Sequence, residues 1–216
     1  MNKYITLIRK DLLIEFRNSF SISSVLLYVF ATVYIIYTSF FNIKGKEWNT
    51  LFWIVFLFIS VNALIRTFNQ EHGNRNLYYY QLVSANHIYI TKLIYNTFIL
   101  VILSLIEYLF FIIFAGNVVR DLSLFLSCLL LASVGFATVF TFVAAIGSKS
   151  GNNQLMTAIL GFPCIIPILL VILKISANAL GLMQDTDLSS DILILISIDV
   201  ILIGISLLLF PYLWRE

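Results

Sequence analysis

Glu107 and Asp199 are the two acidic residues that interrupt the long uncharged runs of this 216-residue chain. Glu107 stands about midway between Lys92 and Arg120. Asp199 follows Asp191 by eight residues, roughly 12 Å along a helix that rises ~1.5 Å per residue. An ionised acid inside a bilayer is costly, so such a residue is neutral, or it faces protein or water. Two readings stay open for each. Either the carboxyl lies on a substrate path or takes part in coupling, or it is a hydrogen-bonded helix-packing group. For Asp199, Ser197 or a water-filled vestibule would supply the polar surroundings.

Other reactive residue types point away from catalysis. Cys128 and Cys164 both lie in apolar runs, where cysteine behaves as a small hydrophobe. Neither belongs to a paired spacing that would hold a metal. No G-x-x-x-x-G-K-[ST] phosphate loop occurs, and neither does an H-E-x-x-H motif or a nucleophile elbow. The chain reads as non-catalytic, and its energy must come from a partner or an ion gradient. Pro163 and Pro167 sit four apart in an apolar run. Each removes a backbone hydrogen bond and crowds the preceding turn, so a kinked or broken helix is expected. Broken helices line cavities in transporters, although a packing kink explains the pair equally well. Ser133 with Ala137, and Gly147 with Gly151, give the small-residue spacing that permits close helix approach.

The elements that must position these residues follow from composition. Hydrophobic residues make up 61% of the chain and charged ones 11%, against about 25% charged in a soluble domain. The excess apolar surface must face lipid. Backbone groups in lipid must bond within their own segment, and about 20 residues cross the hydrocarbon core as a helix. The charges mark six spans, at about 19–42, 48–66, 93–117, 122–147, 153–174 and 192–212. They form a single all-α transmembrane domain over residues 1–216. With the N-terminus inside, nine Lys and Arg fall on the inner side (Lys3, Arg9, Lys10, Arg17, Arg66, Arg75, Lys92, Lys149, Arg215). Four fall outside (Lys44, Lys46, Arg120, Lys174). That bias places both termini in the cytoplasm. Trp48 and Trp53 are expected at the outer interface and Trp214 at the inner one. A net charge of +2 gives no support to nucleic-acid binding.

Two segments are not simple spans. Residues 3–17 read as an amphipathic interfacial helix, with Ile5, Ile8, Leu12 and Phe16 on one face and Lys3, Arg9, Lys10 and Arg17 as its cations. Residues 67–91 form the longest cytoplasmic stretch, polar from Asn69 to Asn76 and aromatic at Tyr78, Tyr79, Tyr80 and Tyr89. Gly73 and the asparagines predict a turn followed by a short helix. Tyrosine and arginine are enriched at protein interfaces. The segment is therefore a candidate docking element carried by Arg75, Leu77, Tyr78, Tyr79, Tyr80, Gln81, Leu82 and His87; an interfacial tyrosine belt is the other reading.

Four features together carry a family resemblance: the opening KYITLIRKDLLIEFRNS, the segment RNLYYYQLVSANHIYITKLIYN, the stretch SVGFATVFTFVAAIGSKSGNNQLMTAILGFPCIIPILL, and the length with six spans. The chain resembles the heme exporter protein B (CcmB) family, membrane subunits of an ABC transporter in bacterial cytochrome c maturation. The resemblance implies an ABC-2-type permease-like fold in the bacterial inner membrane. It also implies a separate cytoplasmic ATPase (CcmA-like) that binds ATP and docks on 67–91. A heme-handling membrane subunit (CcmC-like), a small membrane subunit (CcmD-like) and two copies of this chain per complex complete the expectation. Heme would be a substrate, with no covalently bound cofactor. The only histidines, His72 and His87, fall in the cytoplasmic segment. Histidine is a common heme ligand, so heme handling on the outer side would need another subunit. Alternative functions are an ABC-2-type permease for another substrate, a stand-alone carrier, or an assembly scaffold.

Overall fold

A computed structural model describes residues 19–40, 43–64, 84–149, 153–183 and 187–215. Among these residues the chain is all helical, with six helices and no strand. They are α1 (Ser19–Ser39), α2 (Gly45–Leu64), α3 (Ala85–Ala115), α4 (Leu122–Lys149), α5 (Asn153–Ala179) and α6 (Leu188–Arg215). Five of them, α2 to α6, are long and apolar enough to cross a membrane; the apolar stretch of α1, Ser23–Ser39, is shorter. The interfacial helix expected at 3–17 lies outside the described residues.

The helices overrun the limits that the charges predict. α3 begins at Ala85, so the last seven residues of the 67–91 segment already belong to a helix of 31 residues. At ~1.5 Å per residue that helix is roughly 46 Å long, well beyond the ~30 Å hydrocarbon core. Lys92 therefore does not mark a helix end; it is buried within α3. α5 likewise runs on past Lys174 to Ala179. Hydrogen-bonding of the backbone, not the next charge, decides where each helix stops.

α4 is the hub. It packs against α2, α3, α5 and α6, while α1 leans on α2 and α3. The inward line of α4, Phe125, Leu129, Ala132, Phe136, Ala137, Phe140 and Ala144, is almost fully buried. Large apolar side chains elsewhere, such as Leu27, Ile113, Leu170 and Leu208, point outward. An apolar outer surface of this extent is what a lipid-facing bundle presents. Within lipid, helices associate through close packing and interhelical hydrogen bonds. The packing here is dominated by rings. Trp48 stacks on Phe52, with centroids 5.3 Å apart, and takes edges from Tyr108, Phe111 and Phe125. Both Trp48 and Trp53 are thus buried in the core of the bundle.

The bundle end where α2 begins is tied by polar contacts. Trp53 Nε1 donates to Ser176 Oγ at 2.8 Å and to Asn49 Oδ1 at 3.1 Å. Asn49 Nδ2 donates to the Leu173 carbonyl at 3.1 Å. Together these bonds fasten α2 to α5. Lys174 Nζ then meets both carboxylate oxygens of Asp191, at 3.1 and 3.0 Å, which joins α5 to α6. The backbone amides of Arg120 and Asp121 both donate to the Ala179 carbonyl, and Asp121 Oδ1 accepts the Leu124 amide at the start of α4. α5 closes at Gly181, whose φ of +71° suits glycine alone. The Arg120 side chain lies over it, where a Cβ would come within 2.6 Å.

Trp53→Phe removes the donor and also shrinks the indole to a phenyl ring at a buried, ring-packed site. It should lower the stability of the detergent-solubilised protein by about 1–3 kcal/mol, from the lost interhelical hydrogen bond and the space left behind, as read by denaturant unfolding.

Candidate functional site

The structure separates the two intramembrane acids. On α3, Phe110 and Phe114 meet Phe30 of α1, while Tyr108 and Phe111 meet Trp48 of α2. At 100° per residue, Glu107 falls between these two sets and faces the seam of α1 and α2. It is fully buried, and neither carboxyl oxygen has a hydrogen-bond partner among the described residues. Tyr28 of α1 lies within electrostatic reach of it.

Asp199 stands on a different seam, where α6 meets α4 and α5. The buried line of α6 is Asp191, Leu195, Asp199, Ser206 and Phe210. Gly135 of α4 makes room for the carboxyl: a Cβ there would sit 2.5 Å from Asp199 Oδ1 and 3.0 Å from Ile168 Cδ1 of α5. Asp199 also has no hydrogen-bond partner among the described residues. Ser197 does not supply one, because its hydroxyl donates back to the Leu193 carbonyl at 2.7 Å. Residues two apart on a helix do not face each other, and Ser197 is exposed while Asp199 is buried. The notch at Gly135 lies inside the Ser133–Ala137 small-residue spacing, but only the crossing of α4 with α6 shows that Asp199 fills it.

A third polar group gathers where α3 begins. Ser84 precedes the helix in an extended conformation, and its carbonyl accepts the amides of His87 and Ile88. The Ser84 hydroxyl contacts His87 Nδ1, and the Thr91 hydroxyl donates to the His87 carbonyl at 2.7 Å. His87 therefore sits half-buried in the first turn of α3, bound within its own helix end. One turn on, buried Tyr89 reaches two other helices. Its hydroxyl donates to the Thr138 carbonyl of α4 at 3.4 Å and lies beside Ser206 of α6. Its ring lies 4.9 Å from that of Phe210. Two further turns along, Asn96 Nδ2 donates to Thr141 Oγ1 of α4 at 2.7 Å. Lys92 is buried between these two points. α3, α4 and α6 are thus bound together at this end, opposite the α2–α5 tie.

The other docking candidates, Arg75, Leu77, Tyr78, Tyr79, Tyr80, Gln81 and Leu82, lie outside the described residues, as does the 67–83 part of that segment. Pro163 and Pro167 lie within α5, which continues through both as a helix and is not broken. Both face outward with Cys164, opposite the buried line Ile165, Ile168, Ile172 and Ile175. Among the described residues, no three of His, Cys, Asp and Glu come together as a metal site.

The family model described as "CcmB protein" matches residues 2–212. The chain matches no curated protein and no solved structure.

Gly135→Ala should destabilise the detergent-solubilised protein by about 1–3 kcal/mol, as overpacking does. Asp199→Ala in the same chain should relieve part of that loss. Strictly additive effects in denaturant unfolding would show that the two residues do not press on each other.

Proposed function

Because the chain belongs to the CcmB protein family, we propose that it is the membrane subunit of an ABC transporter complex whose separate cytoplasmic ATPase engages the segment leading into α3. Family membership points to heme transport in cytochrome c biogenesis and to a membrane transporter subunit with other Ccm components around it. The match over residues 2–212 carries the reading. Heme or a heme-bearing partner is the substrate handled by the complex. A CcmC-like heme-handling subunit, with a small CcmD-like companion, holds the heme; the helices from Ala85 onward offer one histidine, His87 at the very start of α3. Two copies of the chain pair with two ATPase chains. All six apolar helices cross the inner membrane, with both termini in the cytoplasm and 3–17 lying along the inner face.

The tie of α3 to α4 and α6 supports this reading. A segment that receives force from outside the membrane needs an outgoing helix anchored to the bundle. α3 has that anchor within its first three turns. Arg75, Leu77, Gln81 and Leu82, with the three tyrosines, supply the docking surface, and aromatic side chains provide most of its contact energy.

Affinity purification of the intact tagged chain from native membranes should bring down an ABC ATPase. Replacement of Tyr78, Tyr79 and Tyr80 by alanine should reduce that recovery about tenfold or more, which corresponds to a loss of roughly 1.4 kcal/mol. Undiminished recovery would remove the docking role. Ion-driven transport by the purified chain alone in liposomes would instead establish a stand-alone carrier.

A further inference from the structure

We propose that Tyr89 is the positioning residue through which movement of the coupling segment reaches α4 and α6. The inference rests on the ATPase reading above and specifies how the movement enters the bundle. Tyr89 is the first fully buried side chain after the segment enters α3. It touches both other helices at once, α4 through a hydrogen bond to the Thr138 carbonyl and α6 through its ring against Phe210, with Ser206 beside its hydroxyl. A single anchor would let α3 pivot. Asn96, seven residues on and roughly 10 Å along the axis, supplies a second point on α4 through Thr141. Two points on one partner and one on another define the orientation of α3 about its axis as well as its position. A pull or tilt applied at Ser84 is then carried into α4, the hub that touches α2, α3, α5 and α6.

The contacts to α1 are of another kind. There α3 presents ring edges, Phe110 and Phe114 against Phe30. Such contacts are non-directional compared with a hydrogen bond to a carbonyl. Movement at the start of α3 is transmitted through Tyr89 to α4 and α6.

The test uses the full chain purified with its ATPase and membrane partners. Tyr89→Phe retains the ring on Phe210 and removes only the hydroxyl. The ATPase should co-purify in the wild-type amount and hydrolyse ATP at close to the wild-type rate. Cytochrome c maturation per ATP hydrolysed should fall by about three- to fifteen-fold, the range set by loss of one interhelical hydrogen bond. Ser206→Ala should reproduce the direction of the effect and serves as the second variant if Tyr89→Phe does not accumulate. Trp53→Phe, which removes a hydrogen bond at the opposite end, is the control for stability alone; it should leave the ratio of maturation to hydrolysis unchanged. Unaltered maturation per ATP in Tyr89→Phe, or a proportionate loss of hydrolysis and maturation matching the control, overturns the inference. Absence of an ATPase on the wild-type chain would instead sink the functional reading itself.

Discussion

Hydrocarbon offers no hydrogen bonds, and this constraint shapes every polar contact in the bundle. Apart from Glu107, Asp199 and the Trp48 indole N–H, the buried polar side chains described on these helices find a partner within the protein or return to their own backbone. Many hydroxyls take the second course. Ser60, Ser133, Thr97 and Ser197 each donate to a carbonyl one turn back, which satisfies the group but joins nothing. The structurally decisive residues are the few that reach across: Asn49 and Trp53 at one end, Tyr89 and Asn96 at the other. Each is long enough to span the gap between helices and carries a donor at its tip.

Between these two ends the bundle is held by shape. Rings from α2, α3 and α4 interlock around Trp48. Small residues let α4 come close to its neighbours, with Gly135 admitting Asp199 and Gly161 lying under the ring of Phe140. In lipid there is little hydrophobic gain from burying one apolar surface against another, so close fit and aromatic geometry do the holding. The result is a bundle whose polar fastenings are at its ends and whose middle holds two buried acids on separate seams. A carboxyl fully enclosed by protein in this way is where a transporter's function is most readily looked for, and Glu107 and Asp199 occupy chemically unlike seams. One lies on the α3 face between two sets of aromatic contacts, the other beside the glycine notch and Ile168.

The anchoring of α3 gives the family assignment a mechanical content. A subunit that hydrolyses no nucleotide can still be driven if one of its helices is gripped outside the membrane and fixed inside it. α3 is long enough to do both: it begins well before the expected span and carries its anchors in its first turns. On the proposed reading α4 is the helix that would distribute such a displacement, because it packs against four of the other five described helices.

Much of this was readable from residue types. Apolar runs and the cost of unpaired backbone in lipid are sufficient to call helices, since both act within a single segment. The same local logic located Glu107 and Asp199 as buried acids and the two prolines within one helix. Tertiary structure alone decided what required two helices to meet. Trp48 and Trp53 read from the sequence as aromatics near the outer interface; that they also form part of the packed core follows from the crossing of α2 with α3, α4 and α5. Ser197 was the near neighbour of Asp199 along the chain, but its hydroxyl bonds within its own turn, and Asp199 lies on Gly135 instead. Tyr89 looked like one tyrosine among several; its contacts with Thr138 and Ser206 come from segments about fifty and more than a hundred residues away. Periodicity and hydropathy report the surroundings of a residue within its own helix. Which side chain closes the distance to another helix depends on crossing angle and axial register, and these are set by the packing of the whole bundle.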